Sequence, residues 1–164
     1  MRGLREIKAL TVAGLALFPL IVAFDNITDY ETNFVFVQHV MSMDTTFPGN
    51  SLMYRAITSP ALHHLAYALI IAFEAATGLA LAWGAIALWR ARRASAADFA
   101  AAKLWTAIGG LLGFLVWFVG FLVIAGEWFA MWQSAHWNAQ EAAFRFVVMI
   151  VLVVVFVLQP EEKG

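Results

Sequence analysis

Residues 61–89 read ALHHLAYALIIAFEAATGLALAWGAIALW, a run of 29 positions that contains one carboxylic acid and no lysine or arginine. An α-helix rises about 1.5 Å per residue, so this run would be about 43 Å long. The hydrocarbon core of a bilayer is about 30 Å thick, and a helix needs roughly 20 apolar residues to cross it. The run therefore predicts a membrane-spanning helix.

Three further apolar runs lie on either side of this one. Hydrophobic residues make up 63% of the 164 positions, a share well above that of a soluble domain. We predict an all-α membrane protein, a four-transmembrane-helix bundle in which residues 1–164 form a single domain. The predicted spans are approximately residues 7–25, 60–89, 104–126 and 139–158. The two longer connections are residues 26–59 and 127–138.

Basic residues are distributed unevenly between the two sides of the predicted bundle. Short loops rich in lysine and arginine stay on the cytoplasmic side of a membrane. Seven such residues precede the first apolar run, which begins at Leu10, or lie between the second and third spans: Arg2, Arg5, Lys8, Arg90, Arg92, Arg93 and Lys103. We therefore expect both termini to be cytoplasmic, and residues 26–59 and 127–138 to form a structured cap on the outer, periplasmic side. No basic stretch is typical of a nucleic-acid-binding surface.

Small residues recur every four positions along the second span, at Ala68, Ala72, Ala76, Ala80 and Gly84. Helices associate in lipid where small side chains let their backbones approach closely. The third span supplies a counterpart in Gly109, Gly113 and Gly120. We therefore expect these two faces to pack together inside the bundle, with a homo-oligomer contact as the alternative.

Glu74 lies near the middle of the second span, about 21 Å along the helix from Pro60. An ionisable residue at that depth is costly unless it is paired or neutral, and it marks a functional site by default. Helical spacing places it on one face with three other candidate ligand or relay residues, Tyr67, His63 and Thr77. This face favours a proton or ion relay, or the polar edge of a quinone or lipid pocket. The structural alternative is a neutral Glu74 that hydrogen-bonds to a neighbouring helix.

Polar and aromatic residues also concentrate in the predicted cap. The candidate cap site consists of His39, Asp44, His64, Glu127, Trp132, His136 and Asn138. Imidazole suits copper, zinc or haem iron. However, no helix carries a His-x-x-x-His pair, and the adjacent His63 and His64 would point about 100° apart. We predict no cofactor, with haem or copper as the alternative, and leave the identity of any metal open.

Two segments of the cap are distinctive as sequences. Residues 33–47 read NFVFVQHVMSMDTTF and residues 127–140 read EWFAMWQSAHWNAQ. Together with Glu74 they resemble a bacterial family of predicted small integral membrane proteins, filed as a domain of unknown function. The resemblance covers nearly the whole chain. It implies a four-span protein of the inner membrane of a Gram-negative bacterium, and it brings no activity, cofactor or catalytic residue with it.

These observations leave three hypotheses for function. The first is a non-enzymatic accessory or scaffold subunit whose periplasmic cap binds a membrane or periplasmic protein partner, since no nucleophile motif stands out. The second is a small binding or transport unit for a proton, a metal ion or a lipophilic ligand, using Glu74 and the outer histidines. The third is a haem-bearing electron carrier.

Overall fold

A computed structural model describes residues 2–161, and within them every regular element is helical. The six α-helices are α1 (Arg2–Thr28), α2 (Tyr30–Ser42), α3 (Pro60–Ala91), α4 (Ala96–Ala101), α5 (Leu104–Phe114) and α6 (Gln140–Leu158). A π-helix, Leu115–Trp128, continues α5, and we call it the π segment. Single 3₁₀ turns occur at Met53–Arg55 and Met131–Gln133.

Four of the helical stretches are long and apolar enough to cross a membrane. They are Gly3–Thr28, Pro60–Ala91, Ala96–Trp128 and Gln140–Leu158. Each contains nearly all of one predicted span, which confirms the all-α bundle of four long apolar helices. The first helix extends three residues beyond the predicted limit of residue 25, and this extension carries Asn26 into the interior of the bundle.

The helix α3 lies at the centre of the bundle, between α1 and α5. Glycines allow these close approaches. A Cβ atom added to Gly84 would lie 2.9 Å from the backbone nitrogen of Thr106, and one added to Gly109 would lie 2.7 Å from Cγ of Leu81. The predicted packing of the third-span glycines against α3 is therefore confirmed for Gly109, and also for Gly113, whose Cβ would meet Thr77 of α3 at 3.2 Å.

The prediction for the small-residue face of α3 is wrong over its first two turns. Ala68 and Ala72 are exposed on the surface of the bundle, and only Ala80 and Gly84 are buried. The buried side of α3 instead carries four of its polar residues, His63, Tyr67, Glu74 and Thr77. Lipid offers no hydrogen-bond partner, so the polar side faces the protein and the alanines face outward.

The cap, residues 26–59 and 127–138, is folded against one end of the bundle, which we call the cap end. Its core is formed by Phe34, Val37, Val40, Met41, Met43, Phe129, Ala130 and Met131, together with Tyr67 of α3. Polar contacts join its two parts. Thr45 Oγ1 donates to Ser134 Oγ at 2.9 Å, and the backbone nitrogen of Phe47 donates to Gln133 Oε1 at 3.1 Å.

The third long helix packs closely at Gly113 but leaves open space at Gly120, nearer the cap. Gly113 lies against Thr77 and Ile150, whereas a Cβ on Gly120 would meet only a backbone atom of its own helix, at 3.6 Å. The opening begins where the regular α5 gives way to the π segment. Long π-helices are rare, and short π-helical turns occur frequently at functional sites.

At the opposite end, which we call the terminal end, three helices are joined by buried charges. Lys8 of α1 and Lys103 at the start of α5 each donate to Oε1 of Glu161 at 2.8 Å. Arg5 reaches Oε2 of the same carboxylate at 3.3 Å. Burial alone would raise the pKa of Glu161, but the hydrogen bonds from Lys103 and Lys8 outweigh it and lower the pKa to about 2.

Candidate functional site

Glu74 is buried on the central helix, with 2% of its surface exposed. Its Oε2 accepts a hydrogen bond of 2.7 Å from Nδ2 of Asn26, in the last turn of α1. A buried carboxyl group is costly without such a partner. The contact exists because α1 continues as a helix past the predicted end of the first span.

Asn26 connects three helices through its remaining polar atoms. Its Oδ1 accepts from Nδ2 of Asn33 on α2 at 2.8 Å, and its backbone carbonyl accepts from the hydroxyl of Tyr67 on α3 at 3.3 Å. Asn33 is exposed on the cap, whereas Asn26 and Glu74 are buried. The hydrogen bonds therefore lead from the surface of the cap to the carboxyl group inside the bundle.

A cavity of about 220 Å³ lies beside this network. All four residues of the network line it. The other lining residues are apolar, and many are aromatic: Val22, Phe36, Val37, Ile70, Trp117, Phe121, Ala139, Ala142, Ala143 and Phe146. We call it the polar cavity.

A second cavity, of about 370 Å³, lies next to the polar cavity and has only apolar walls. We call it the apolar cavity. It is lined by Phe36, Val37, Val40, Met41, Ile57, Ala66, Leu69, Ile70, Gly120, Phe121, Ile124, Ala125 and Phe129. The two cavities share four wall residues, Phe36, Val37, Ile70 and Phe121. Residues of α3 and of the π segment line both cavities.

Of the four residues predicted to share the polar face of α3, two line the polar cavity and two do not. Glu74 and Tyr67 both line the polar cavity. His63 and Thr77 are not among its lining residues. The Nε2–H of His63 donates to the carbonyl of Ile57, which can only accept, at 2.6 Å. The hydroxyl of Thr77 donates to the carbonyl of Phe73 within its own helix at 2.7 Å.

The residues of the candidate cap site form separate pairs. His39 binds Asp44 through Nδ1 at 2.9 Å, and His64 Nδ1 lies 2.8 Å from the hydroxyl of Tyr30. Six of the seven members are exposed: Asp44, His64, Glu127, Trp132, His136 and Asn138. Among residues 2–161 no group of three or more His, Cys, Asp or Glu side chains is placed to hold a metal ion.

The sequence did not indicate Asn26 or Asn33 as site residues. Both were predicted to lie in the loop of residues 26–59, where asparagine is ordinary. One feature of the sequence could have identified Asn26, namely its position close to the end of an apolar run. If the helix continues for one more turn, the amide of Asn26 lies inside the bundle. Asn33 is also the first residue of a segment that carried the family resemblance.

A comparison with family models gives one match. The model described as "Predicted small integral membrane protein (DUF2165)" matches residues 4–160. The chain belongs to this family. It is therefore a small integral membrane protein, and the four long apolar helices are its candidate spans. The family is one of unknown function, and no curated protein or solved structure matches the chain.

Proposed function

We propose that this small integral membrane protein binds a lipid-soluble molecule in the cap-end half of its bundle. The observation that carries the proposal is the pairing of the two cavities, one with polar groups and one without, across shared walls. Pockets for small molecules typically measure about 300–1,000 Å³. The two cavities together fall in this range.

The two cavities suit the two parts of an amphiphilic molecule. Its polar head would lie beside Glu74, Asn26 and Asn33, and its chain would fill the apolar cavity. Lipid tails already surround an apolar chain with apolar groups, so moving the chain into the protein gains little. Affinity and selectivity must therefore come from the head group and its hydrogen bonds.

The apolar cavity also has a route to the bilayer. Leu69 of α3 and Ile124 of the π segment both line it, and both are about half exposed, at 51% and 46%. They lie on the two helices that separate towards the cap. A ligand dissolved in the membrane would enter between these helices without crossing water.

Chemical analysis of the protein in native membrane discs tests the proposal. Gly120→Leu would place a side chain in the apolar cavity, where the glycine faces open space. The control is Gly14→Leu, because Gly14 is also surrounded by open space but lies on α1, away from both cavities. We expect one lipid-soluble species to be enriched over the surrounding membrane in wild type and Gly14→Leu, and to be lost from Gly120→Leu. Equal lipid composition in all three samples would reject the proposal.

A second candidate function is attachment of a protein partner to the cap. The observation that favours it is a set of exposed aromatic side chains on the cap, of which Tyr54 is the most exposed at 74%. Phe47 and Trp132 stand edge to face beside each other. A photo-crosslinking amino acid at position 54, in native membranes, should yield one discrete protein adduct. Adducts with lipid alone would assign the aromatic residues to the membrane boundary.

A further inference from the structure

We infer that the polar cavity selects organic cations, with the carboxylate of Glu74 as their counter-ion and aromatic rings as their walls. This inference rests on the proposed function, because it names the chemical class of the ligand for the same site. Three independent features carry it: the charge of the lining residues, the number of rings, and the orientation of the carboxyl group.

The charges of the cavity exclude an anionic head group. Among the 14 described residues that line it, Glu74 is the only acid, and none is lysine or arginine. A phosphate or carboxylate head would meet a carboxyl group and no positive charge to compensate. A cation would form an ion pair with Glu74 at a depth where an isolated charge is costly.

Aromatic rings supply the second feature. Five of the lining residues are aromatic, Phe36, Tyr67, Trp117, Phe121 and Phe146. The faces of such rings attract cations electrostatically, and cages of them are a common way to bind quaternary ammonium groups. A neutral chain would pack equally well against leucine or valine, so the rings favour a cationic head.

The carboxyl group is held so that one oxygen remains available. Oε2 accepts the bond from Asn26, while Oε1 has no hydrogen-bond partner among residues 2–161 and belongs to a side chain that lines the cavity. An ionised carboxylate can only accept hydrogen bonds. Its negative charge therefore attracts a cation, whereas a carbonyl group offers it neither a positive charge nor a hydrogen-bond donor.

Binding of a cation in the polar cavity releases the proton of the Glu74 carboxyl group. In the empty site a neutral Glu74 keeps its O–H bond, as burial without a cation requires. When the cation enters, that bond breaks, the proton passes to water, and the carboxylate pairs with the cation. The path for the proton leads towards exposed Asn33, because Thr77, Gly113 and Ile150 pack closely on the other side. No electron is transferred, and one proton leaves for each cation bound.

Two probes with the same chain and different heads test the inference. Dodecyltrimethylammonium carries a positive charge, and dodecanol does not. Binding is measured by calorimetry on the protein in phosphatidylcholine nanodiscs, with proton release followed in a weakly buffered solution. We expect the cation to bind wild type at least about tenfold more tightly than the alcohol, with release of about one proton per cation.

Variants assign the effect to the carboxyl group. Glu74→Gln should weaken binding of the cation at least about tenfold, abolish proton release, and leave binding of dodecanol unchanged. Glu74→Asp should retain part of both effects. Glu127→Gln is the matched control, because Glu127 is an exposed carboxylate near the same end of the bundle. It should behave as wild type.

The outcomes separate this inference from the function on which it rests. Binding of dodecanol as tightly as the cation, or cation binding without proton release, would overturn the inference and leave the proposed function standing. Failure of both probes to bind wild type would reject both. If Glu74→Gln does not fold, the preference for the cation and the released proton in wild type still decide the question.

Discussion

Asn26 satisfies polar groups from two other helices at once. Its amide donates to Glu74 and accepts from Asn33, and its backbone carbonyl accepts from Tyr67. Because the side chain is buried, removing its amide takes these hydrogen bonds from the interior of the bundle. A single residue near the end of α1 therefore links α2 and α3.

The first prediction concerns this residue. Asn26→Leu should lower the free energy of unfolding by about 1–3 kcal/mol, because it leaves the buried Oε2 of Glu74 without its hydrogen-bond donor. The measurement is the thermal unfolding midpoint in detergent. Asn138→Leu is the control, because Asn138 is exposed and bonds only to the backbone of Gln140. Similar unfolding midpoints for the two variants would contradict this role of Asn26.

Glu74 provides a second prediction, which concerns folding rather than binding. Glu74→Gln should unfold near the wild-type temperature, since its amide oxygen can still accept from Asn26. Glu74→Leu should be destabilised by about 1–3 kcal/mol, because the Asn26 amide then loses its acceptor. The same thermal assay decides. If leucine is tolerated as well as glutamine, the hydrogen bond contributes nothing to folding.

The sequence indicated half of this network, for a physical reason. Tyr67 and Glu74 are seven positions apart on one helix, so their shared face follows from helical geometry alone. Asn26 and Glu74 lie 48 positions apart on different helices. Spacing along the chain carries no information about such a pair, and the prediction that the first span ends at residue 25 had placed Asn26 in a loop.

Between elements, the bundle is held at the places where glycines allow helices to touch. Gly84 is the clearest case, because the atoms nearest its missing side chain belong to the Thr106 side chain and to the backbone of α5. A side chain of Thr106 can rotate, but the backbone of a packed helix moves only with the whole element. This contact therefore fixes the distance between α3 and α5.

The third prediction follows from that contact. Gly84→Ala should destabilise the protein by about 1–3 kcal/mol through overpacking. Gly14→Ala should be neutral or stabilising, because nothing lies within 4 Å of its added Cβ and alanine favours a helix interior. Unfolding midpoints in detergent distinguish them. A destabilised Gly14→Ala beside an unaffected Gly84→Ala would refute the packing described.

The separation of α3 from the π segment is the feature that the sequence did not predict. Residues 104–126 form one apolar run, and its composition is the same whether the backbone is an α-helix or a π-helix. Gly120 was expected to pack like Gly109. It instead faces open space, because the change in helix geometry at Leu115 alters the direction of every later side chain.

For the whole molecule, the charges at the terminal end join residues from both ends of the described chain. Lys8 and Lys103 are almost fully buried, and Glu161 is the carboxylate that compensates them. Removing one partner of a buried ion pair destabilises a protein by about 3–5 kcal/mol. Glu161 is therefore a structural residue for the assembly of α1, α5 and α6.

The fourth prediction uses this cluster and pH. Glu161→Gln should unfold at a lower temperature than wild type at neutral pH. The pKa of Glu161 is lowered in the folded protein, so its contribution is full above the unfolded pKa of about 4.5 and is lost as pH falls towards about 2. The difference between the two proteins should therefore shrink between pH 5 and 2, as followed by thermal unfolding. A difference that stays constant over this range would show that the charge of Glu161 is not the cause.

The fifth prediction concerns orientation. The chain has no cysteine, so one introduced thiol is a unique label. Ser51→Cys lies on the exposed cap, and Ala94→Cys is exposed at the terminal end. If the termini are cytoplasmic, a membrane-impermeant maleimide added to intact cells should modify position 51, and position 94 only after the membrane is permeabilised. The reverse pattern would place the cap in the cytoplasm.

Lys8 is synthesised well before Glu161, the residue with which it forms an ion pair. The two residues are 153 positions apart, and a ribosome adds about 5–20 residues per second, so Lys8 is made roughly 8–30 s before its partner. During that interval it is an uncompensated cation beside the first span, where positive charge directs insertion. Glu161 supplies its counter-ion only after all four long helices have been made. We therefore expect the same ammonium group first to influence how the first span inserts, and afterwards to hold α1 against the segment that follows α6.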